Sequence, residues 1–498
     1  MITIGYDIGS SSIKASLYDA ASGKEIISSF HPKEEMKIDS PNPGWAEQDP
    51  ENWWKSLKSA TEEIFSNTSI KASEVKAIGI SYQMHGLVIV DGNRKCLRPS
   101  IIWCDSRAVE TGDKAYEEIG KEKCLDSLLN SPGNFTASKL RWIQQNEPAV
   151  YKKVYKAMLP GDFIAMKLTD DIYTTISGLS EGIFWDFLNE TISEDILEHY
   201  QLNKSLLPQI VPTFGIQGKT NKNVQKEIGI KEGTPVTYRA GDQPNNAFSL
   251  NVLNPGEVAS TGGTSGVVYG ITDKLQSDKL NRINTFAHVN HSLNERRLGI
   301  LLCINGTGIS YSWIRKILFN SSVPYSEMNK LADEKKIGSN GLIFLPFGNG
   351  AERMLQNKNI GASFSGLNFN INDRGCLTRA VVEGVAFSFV YGLEIMKSLN
   401  LNPKVIRAGK SNMFLSPLFR ETISTLAETE VQLFNTTGSL GAARAAAYGA
   451  GYFSSVQETF ANLKSLETIE PDKKNFSLYQ KAYNNWKNEL EIKLSKQD

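Results

Sequence analysis

Two short runs of small polar residues carry most of the chemistry this chain could do. The first starts at Asp7. Gly9, Ser10, Ser11 and Ser12 make a tight turn between an apolar strand pattern and an alternating one, with Ile13, Ala15 and Leu17 on one face and Lys14, Ser16 and Tyr18 on the other. Backbone N–H groups and hydroxyls exposed in such a turn can cradle phosphate oxygens, and Asp7 beside them can reach a metal ion. The second run, Ser260, Thr261, Gly262, Gly263, Thr264, Ser265 and Gly266, also lies between two strand patterns, about half a chain later. One Gly/Ser hairpin is equally an ordinary turn. Two at this spacing predict a duplicated fold, each half presenting one phosphate clamp to a shared cleft.

Three further groups are candidates. Asp242 follows a strand pattern at 236–238, in a polar stretch read as a loop, with Gly241 allowing a ligand close to the backbone. A carboxylate there can take the proton of a sugar hydroxyl as general base, or simply hold a turn. Gln83, Met84, His85 and Gly86 end a buried-strand pattern at 75–81. Ligands bind at such strand ends in α/β sheets, although a lone histidine also serves as a structural residue. Trp103, Asp105 and Arg107 follow a strand pattern at 100–102; the plain alternative is a surface Asp–Arg pair of little energetic weight. Two triplets imitate a P-loop, Gly218-Lys219-Thr220 and Gly409-Lys410-Ser411, but the required upstream glycine is Thr213 in one and Lys404 in the other. No Gly-x-Gly-x-x-Gly opens a helix after a strand, so a Rossmann site has little support.

These residues need a scaffold of some size. A chain of 498 residues exceeds one core and predicts two large domains, at 1–249 and 250–498. Asp49 and Pro50 open a helix whose apolar stripe is Trp53, Trp54, Leu57, Ala60, Ile64 and Phe65. Strand and helix patterns then alternate, which predicts an α/β fold. Helices are expected at 378–398 and 439–450, the second rich enough in Gly and Ala to pack closely on a neighbour. Fifty-four basic residues balance fifty-four acidic ones, so neither nucleic acid nor a membrane surface is an expected partner. Five scattered cysteines with no CxxC predict no disulfide framework and no zinc site. No apolar run reads as a membrane span, and the expected location is cytoplasmic.

Over roughly residues 1–455 the chain resembles the FGGY family of carbohydrate kinases, a branch of the actin-like ATPase (ribonuclease H-like) fold. Both hairpins resemble that family's phosphate motifs. Asn134 to Pro148 is close to the family signature around Lys139-x-x-Trp142, and the segments Phe344–Phe347 and Ala380–Ala386 also match. Gln83-Met84-His85-Gly86, the 43–50 segment ending in Asp49-Pro50, the Trp103-x-Asp105-x-Arg107 spacing and Ala287-His288 resemble the xylulose kinase branch most.

The resemblance implies a two-domain α/β kinase with its active site in the interdomain cleft, using ATP and Mg²⁺ to phosphorylate a pentulose, D-xylulose first among them. Asp242 would be the catalytic base. Gln83, Met84, His85, Trp103, Asp105 and Asp242 would bind the sugar, and Asp7 and Asp242 the metal. Gly9, Ser10, Ser11, Ser12, Lys14, Gly263, Thr264, Ser265, Gly306, Gly409, Lys410 and Asn412 would bind ATP. The expected partners are the sugar and ATP, and a homodimer is compatible with this reading. Alternatives are another ketose, a polyol or an aldonate as substrate, or a non-catalytic actin-like ATPase or sugar-binding regulator, which would not need Asp242. The family's adenosine motif is altered to Arg407-Ala408-Gly409-Lys410-Ser411-Asn412, its Gly-Asp-Asn to Gly241-Asp242-Gln243, and its Gly-Glu-Arg-Thr-Pro segment to Gly350-Ala351-Glu352-Arg353-Met354.

Overall fold

Why the N-terminal residues make a sheet is visible in their register. Ile2–Ile8 pairs antiparallel with Ile13–Asp19, from Ile2 opposite Asp19 to Ile8 opposite Ile13, which leaves Gly9 to Ser12 as the turn. The computed structural model describes residues 1–497. In it a five-stranded sheet runs in the order Val236–Gly241, Ala77–Tyr82, Ile2–Ile8, Ile13–Asp19, Lys24–His31. The first three strands are parallel to one another and the last two antiparallel. Asp49 caps the helix Pro50–Ser66 by accepting from the Glu51 N–H, and Trp53, Trp54, Leu57, Ala60 and Ile64 are buried against this sheet.

The predicted repeat is present. In the seven-stranded second sheet, Val431–Phe434, Val405–Gly409, Glu257–Gly262, Gly266–Thr272 and Leu298–Ile304 follow one another in the same order and sense. Asn284–Ala287 and Glu467–Ile469 are added at its two edges.

The helix Gly438–Gly449 follows the last repeated strand but lies on the first sheet. The approach is close: a Cβ on Gly5 would lie 2.1 Å from the Ser439 carbonyl oxygen, and one on Gly79 2.0 Å from that of Ala442. Thr3 Oγ1 donates to the Ala443 carbonyl, and the hydroxyls of Ser16 and Ser439 bond at 2.7 Å. This is why Ser16 and Tyr18, on the polar side of the alternation, are buried. Hydrophobic contact and matched polar groups, rather than solvent, cover that face.

Three expectations are corrected. The stretch after residue 240 is not a loop: Asp242–Ser249 is a helix. The long helix begins at Arg374, because Asp373 caps it by accepting from the Cys376 N–H at 3.0 Å. That helix, Arg374–Ser398, is also long and apolar enough to cross a membrane, contrary to the sequence reading; 89% of its apolar window is buried, as in the core helix of a folded domain. No cysteine among the described residues is in a disulfide.

Candidate active site

Asp242 is the first residue of its helix, directly after Gly241 at the end of the strand Val236–Gly241. A carboxylate in a helix's first turn is favoured by the unpaired N–H groups there. Burial and, next, the neighbouring Asp7 carboxylate push the Asp242 carboxyl up to about 7, against the pull of the Gln243 amide. A carboxyl in this range is half deprotonated near neutral pH and strong enough as a base to take a hydroxyl proton. Asp7 is the second-last residue of the first strand, accepts from Ser81 Oγ at 2.9 Å, and faces the start of the helix Gly438–Gly449. A Cβ on Gly438 would sit 2.6 Å from Asp7 Oδ2. Lys14 is directly opposite Asp7 in the hairpin and therefore on the same face.

The sugar-side candidates converge at the end of Ala77–Tyr82. Met84 is buried, and a Cβ on Gly241 would meet its Cγ at 2.6 Å, which brings it next to the start of the Asp242 helix. Both amide atoms of buried Gln83 lack a partner. An unpaired buried amide costs about 1–3 kcal/mol, which a polar ligand would relieve. His85 has φ of 62°, a backbone conformation uncommon for a non-glycine residue. Its carbonyl is gripped by Lys139 Nζ at 2.9 Å, which also donates to the Ile102 carbonyl at 3.0 Å. Lys139 is fully buried, and desolvation pulls its ammonium down to about 7. Phe286, from the second sheet, lies 5.2 Å from the His85 ring at a tilt of 47°, so the two halves meet at this point.

Asp105 and Trp103 have different surroundings. Asp105 and Arg107 are not a surface pair, since their side chains are 0% and 1% exposed. The carboxylate accepts from Arg107 Nε and Nη2 and from the amides of Arg107 and Ala46. Arg107 also pairs with Glu47 and lies over the Trp45 ring at 3.7 Å. The Asp105 carboxylate is thus fully occupied in anchoring the 44–48 segment, and from there Gln48 donates to the Ser10 carbonyl at 2.7 Å. Trp103 is exposed, with its indole nitrogen 3.5 Å from Ser10 Oγ.

The second hairpin turn is joined to a helix. The carbonyls of Gly263 and Thr264 accept from the amides of Gly308 and Ile309, at 2.9 and 3.1 Å, where Gly308–Phe319 begins. Thr264 and Ser265 remain exposed. Gly306 must be glycine, because a Cβ there would lie 1.5 Å from the Pro346 carbonyl oxygen. Beside the turn is a cavity of about 460 Å³, lined by Gly263, Thr264, Ile309, Tyr311, Asn412 and Leu415 among others. Its size and mixed lining suit a small ligand. Tyr325 and Asn329 also line it, and no sequence pattern marks them or Tyr311. Lys410 is not brought to this cavity. Its ammonium pairs with Glu467 at 3.1 Å, across the edge of the second sheet. Gly409 ends the strand just before it.

A larger groove of about 810 Å³ lies elsewhere on the first half, but several of the charges lining it already pair, as in Lys167 with Glu51. Among the described residues no three His, Cys, Asp or Glu side chains converge as a metal site. Asp7 and Asp242 are the facing carboxylates.

A buried carboxyl of raised proton affinity in one half and a 460 Å³ cavity in the other, on duplicated sheets, fit a phosphotransferase of the actin-like ATPase fold. Residues 2–249 match the FGGY family of carbohydrate kinases, N-terminal domain, and the chain belongs to that family; it is a sugar kinase. It is 28% identical to the xylulose kinase of Staphylococcus epidermidis over 97% of this chain and 95% of that protein. Among solved structures, the xylulose kinase from Rhodospirillum rubrum is 25% identical with a TM-score of 0.87, covering 98% of each chain. A gluconate kinase from Lactobacillus acidophilus, 21% identical over 99% of this chain and 98% of that one, superposes with a TM-score of 0.89, so the fold alone does not choose the sugar.

Proposed function

We propose that this kinase transfers the γ-phosphoryl group of ATP to the terminal hydroxyl of a pentulose, D-xylulose, giving the 5-phosphate and ADP. The hydroxyl oxygen forms a bond to the γ-phosphorus as the bond to the β–γ bridging oxygen breaks, and Asp242 takes the hydroxyl proton. The observation that carries this reading is Asp242, held at the start of a helix with its carboxyl at about 7. The names of the full-length relatives support the choice of sugar.

Gln83, Met84, His85 and Trp103 would surround the sugar, with Asp105 acting through the segment it anchors. The two hairpin turns, Lys14, Gly306 and Asn412 would hold ATP, the nucleoside lying in the 460 Å³ cavity. Mg²⁺ would neutralise phosphate charge, held by Asp7 and Asp242 with phosphate oxygens and water completing its shell. Asp242, whose proton affinity is raised by the neighbouring Asp7 carboxylate, fits a cation bound between the two.

Sugar-dependent ADP release from a panel of xylulose, ribulose, fructose, glycerol and gluconate tests the reading. Xylulose should give the highest kcat/KM. A clear preference for gluconate or glycerol would overturn the sugar assignment.

A further inference from the structure

One carboxyl beneath the sugar side of the cleft has no place in the mechanism so far. Glu181 ends the short helix Ile176–Glu181 and is 1% exposed. No hydrogen bond of ordinary length reaches either carboxyl oxygen, although the buried Tyr82 hydroxyl is close enough to interact. Oε2 is 3.9 Å from His85 Nδ1 and would be 3.0 Å from a Cβ on Gly241. The carboxyl therefore fills the space between the imidazole and the residue before the base. The Glu181 main-chain oxygen meets the same Nδ1 at 2.9 Å.

A carbonyl oxygen can only accept, so Nδ1 carries the proton. The ring is neutral, because burial drives its pKa down to about 3, and Lys139 and Arg353 add like charge around it. Phe135 and Phe286 confine it at 4.7 and 5.2 Å. A neutral ring protonated on Nδ1 leaves Nε2 as a bare acceptor, on a side chain that keeps 16% of its surface exposed.

We infer that Glu181 is a positioning residue of the sugar subsite: its main-chain oxygen and its carboxyl hold His85 in the Nδ1-protonated tautomer, so a substrate must present a hydroxyl donor to Nε2. A ketose or polyol hydroxyl meets that demand. A carboxylate oxygen, which only accepts, meets a lone pair. The arrangement selects against any substrate pose that sets a carboxylate at Nε2, and it rests on the sugar assignment proposed above.

Two measurements on the full-length enzyme test this. Glu181→Ala should raise the KM for xylulose roughly tenfold, with kcat and the KM for ATP within about twofold, and the isosteric Glu181→Gln should recover most of the loss. Nitrogen NMR of histidine-labelled protein, with the His85 signals identified by their loss in His85→Gln, should show a neutral ring protonated on Nδ1. Xylulose should shift the Nε2 signal. A ring protonated on Nε2, or Glu181→Ala weakening ATP and xylulose alike, overturns the inference. The tautomer is read without any substrate, so it decides the matter even if Glu181→Ala does not fold. Wild-type enzyme that ignores xylulose but shows the expected tautomer would overturn the sugar assignment alone.

Discussion

The two halves share one strand order but end their strands with different chemistry. In the first half, the opening strand ends at Asp7 and Ile8, the fourth runs into Gln83, Met84 and His85, and the fifth into Asp242. In the second, the matching strand ends close in Ser260, Thr261 and Gly262, then Lys410, Ser411 and Asn412, then Asn435, Thr436 and Thr437. The first half supplies carboxylates and an imidazole; the second supplies hydroxyls, amides and a cavity. Even the helices after the fifth strand differ. One starts on the unneutralised acid Asp242, the other is capped by Thr437, which accepts from the Leu440 N–H at 3.2 Å. The two platforms are equivalent in strand order, and in the proposed reaction their end-of-strand residues would divide proton transfer from nucleotide binding.

That division breaks most sharply at Asp242. Asp242→Asn should lower kcat by at least roughly 10² with the KM for ATP nearly unchanged, because only the proton acceptor is lost. Turnover close to wild type would remove the base from the first half and the asymmetry with it.

Not every acid in the first half is chemical, and Asp105 marks the limit. Asp105→Asn leaves buried Arg107 with Glu47 as its remaining carboxylate, which should destabilise the protein by about 2 kcal/mol. Denaturant melts should detect this, and xylulose affinity should fall with it through the loosened 44–48 segment. Unchanged stability with a lost sugar affinity would return Asp105 to direct sugar contact.

On the nucleotide side, neighbours two residues apart should behave differently. Asn412→Ala should raise the KM for ATP several-fold, whereas Lys410→Ala, whose ammonium is held by Glu467, should stay within about twofold. Titrating ATP at saturating xylulose decides between them, and the reverse order would put Lys410 over the nucleoside after all.

An effect on stability alone is expected at Glu352, a buried second-half acid that accepts from the Asn305 N–H at 3.0 Å. Burial pushes its carboxyl up from 4.5 to about 7. The native state holds this proton more tightly than the unfolded one, so the stability it contributes is full at low pH and is lost as pH rises through about 7. Glu352→Gln should therefore gain on wild type between roughly pH 5 and 8, by about 2–4 °C in Tm, and a difference that shrinks with rising pH would contradict the assignment.

Much of this was legible because it is local. The hairpin turns, the Asp49 cap and the apolar stripe of Pro50–Ser66 are each fixed by residues within a few positions. The helix at Asp242 was hidden by Gly241 and Pro244, which read as loop residues, although proline is compatible with a helix's first turn. Glu181 carried no signal, since its partner His85 is 96 residues away and no spacing encodes that contact. The Asp105–Arg107 pair was visible, but its burial depends on Glu47, Trp45 and Trp142 arriving from elsewhere. Lys410 was placed by resemblance, and its ion pair comes from an edge strand that the resemblance does not include.

The helix Gly438–Gly449 also sets a timetable for synthesis. The first sheet leaves the ribosome with Val236–Gly241, yet the helix that covers its inner face follows almost two hundred residues later. At about 5–20 residues per second, that face is uncovered for roughly 10–40 s on every nascent chain. Apart from Tyr18 and Tyr238 the face is lined largely by small residues, Thr3, Gly5, Ser16 and Gly79 among them, so a chaperone or a second nascent chain finds few large apolar groups to hold there. The small residues that admit the helix at the end also keep the waiting sheet inconspicuous.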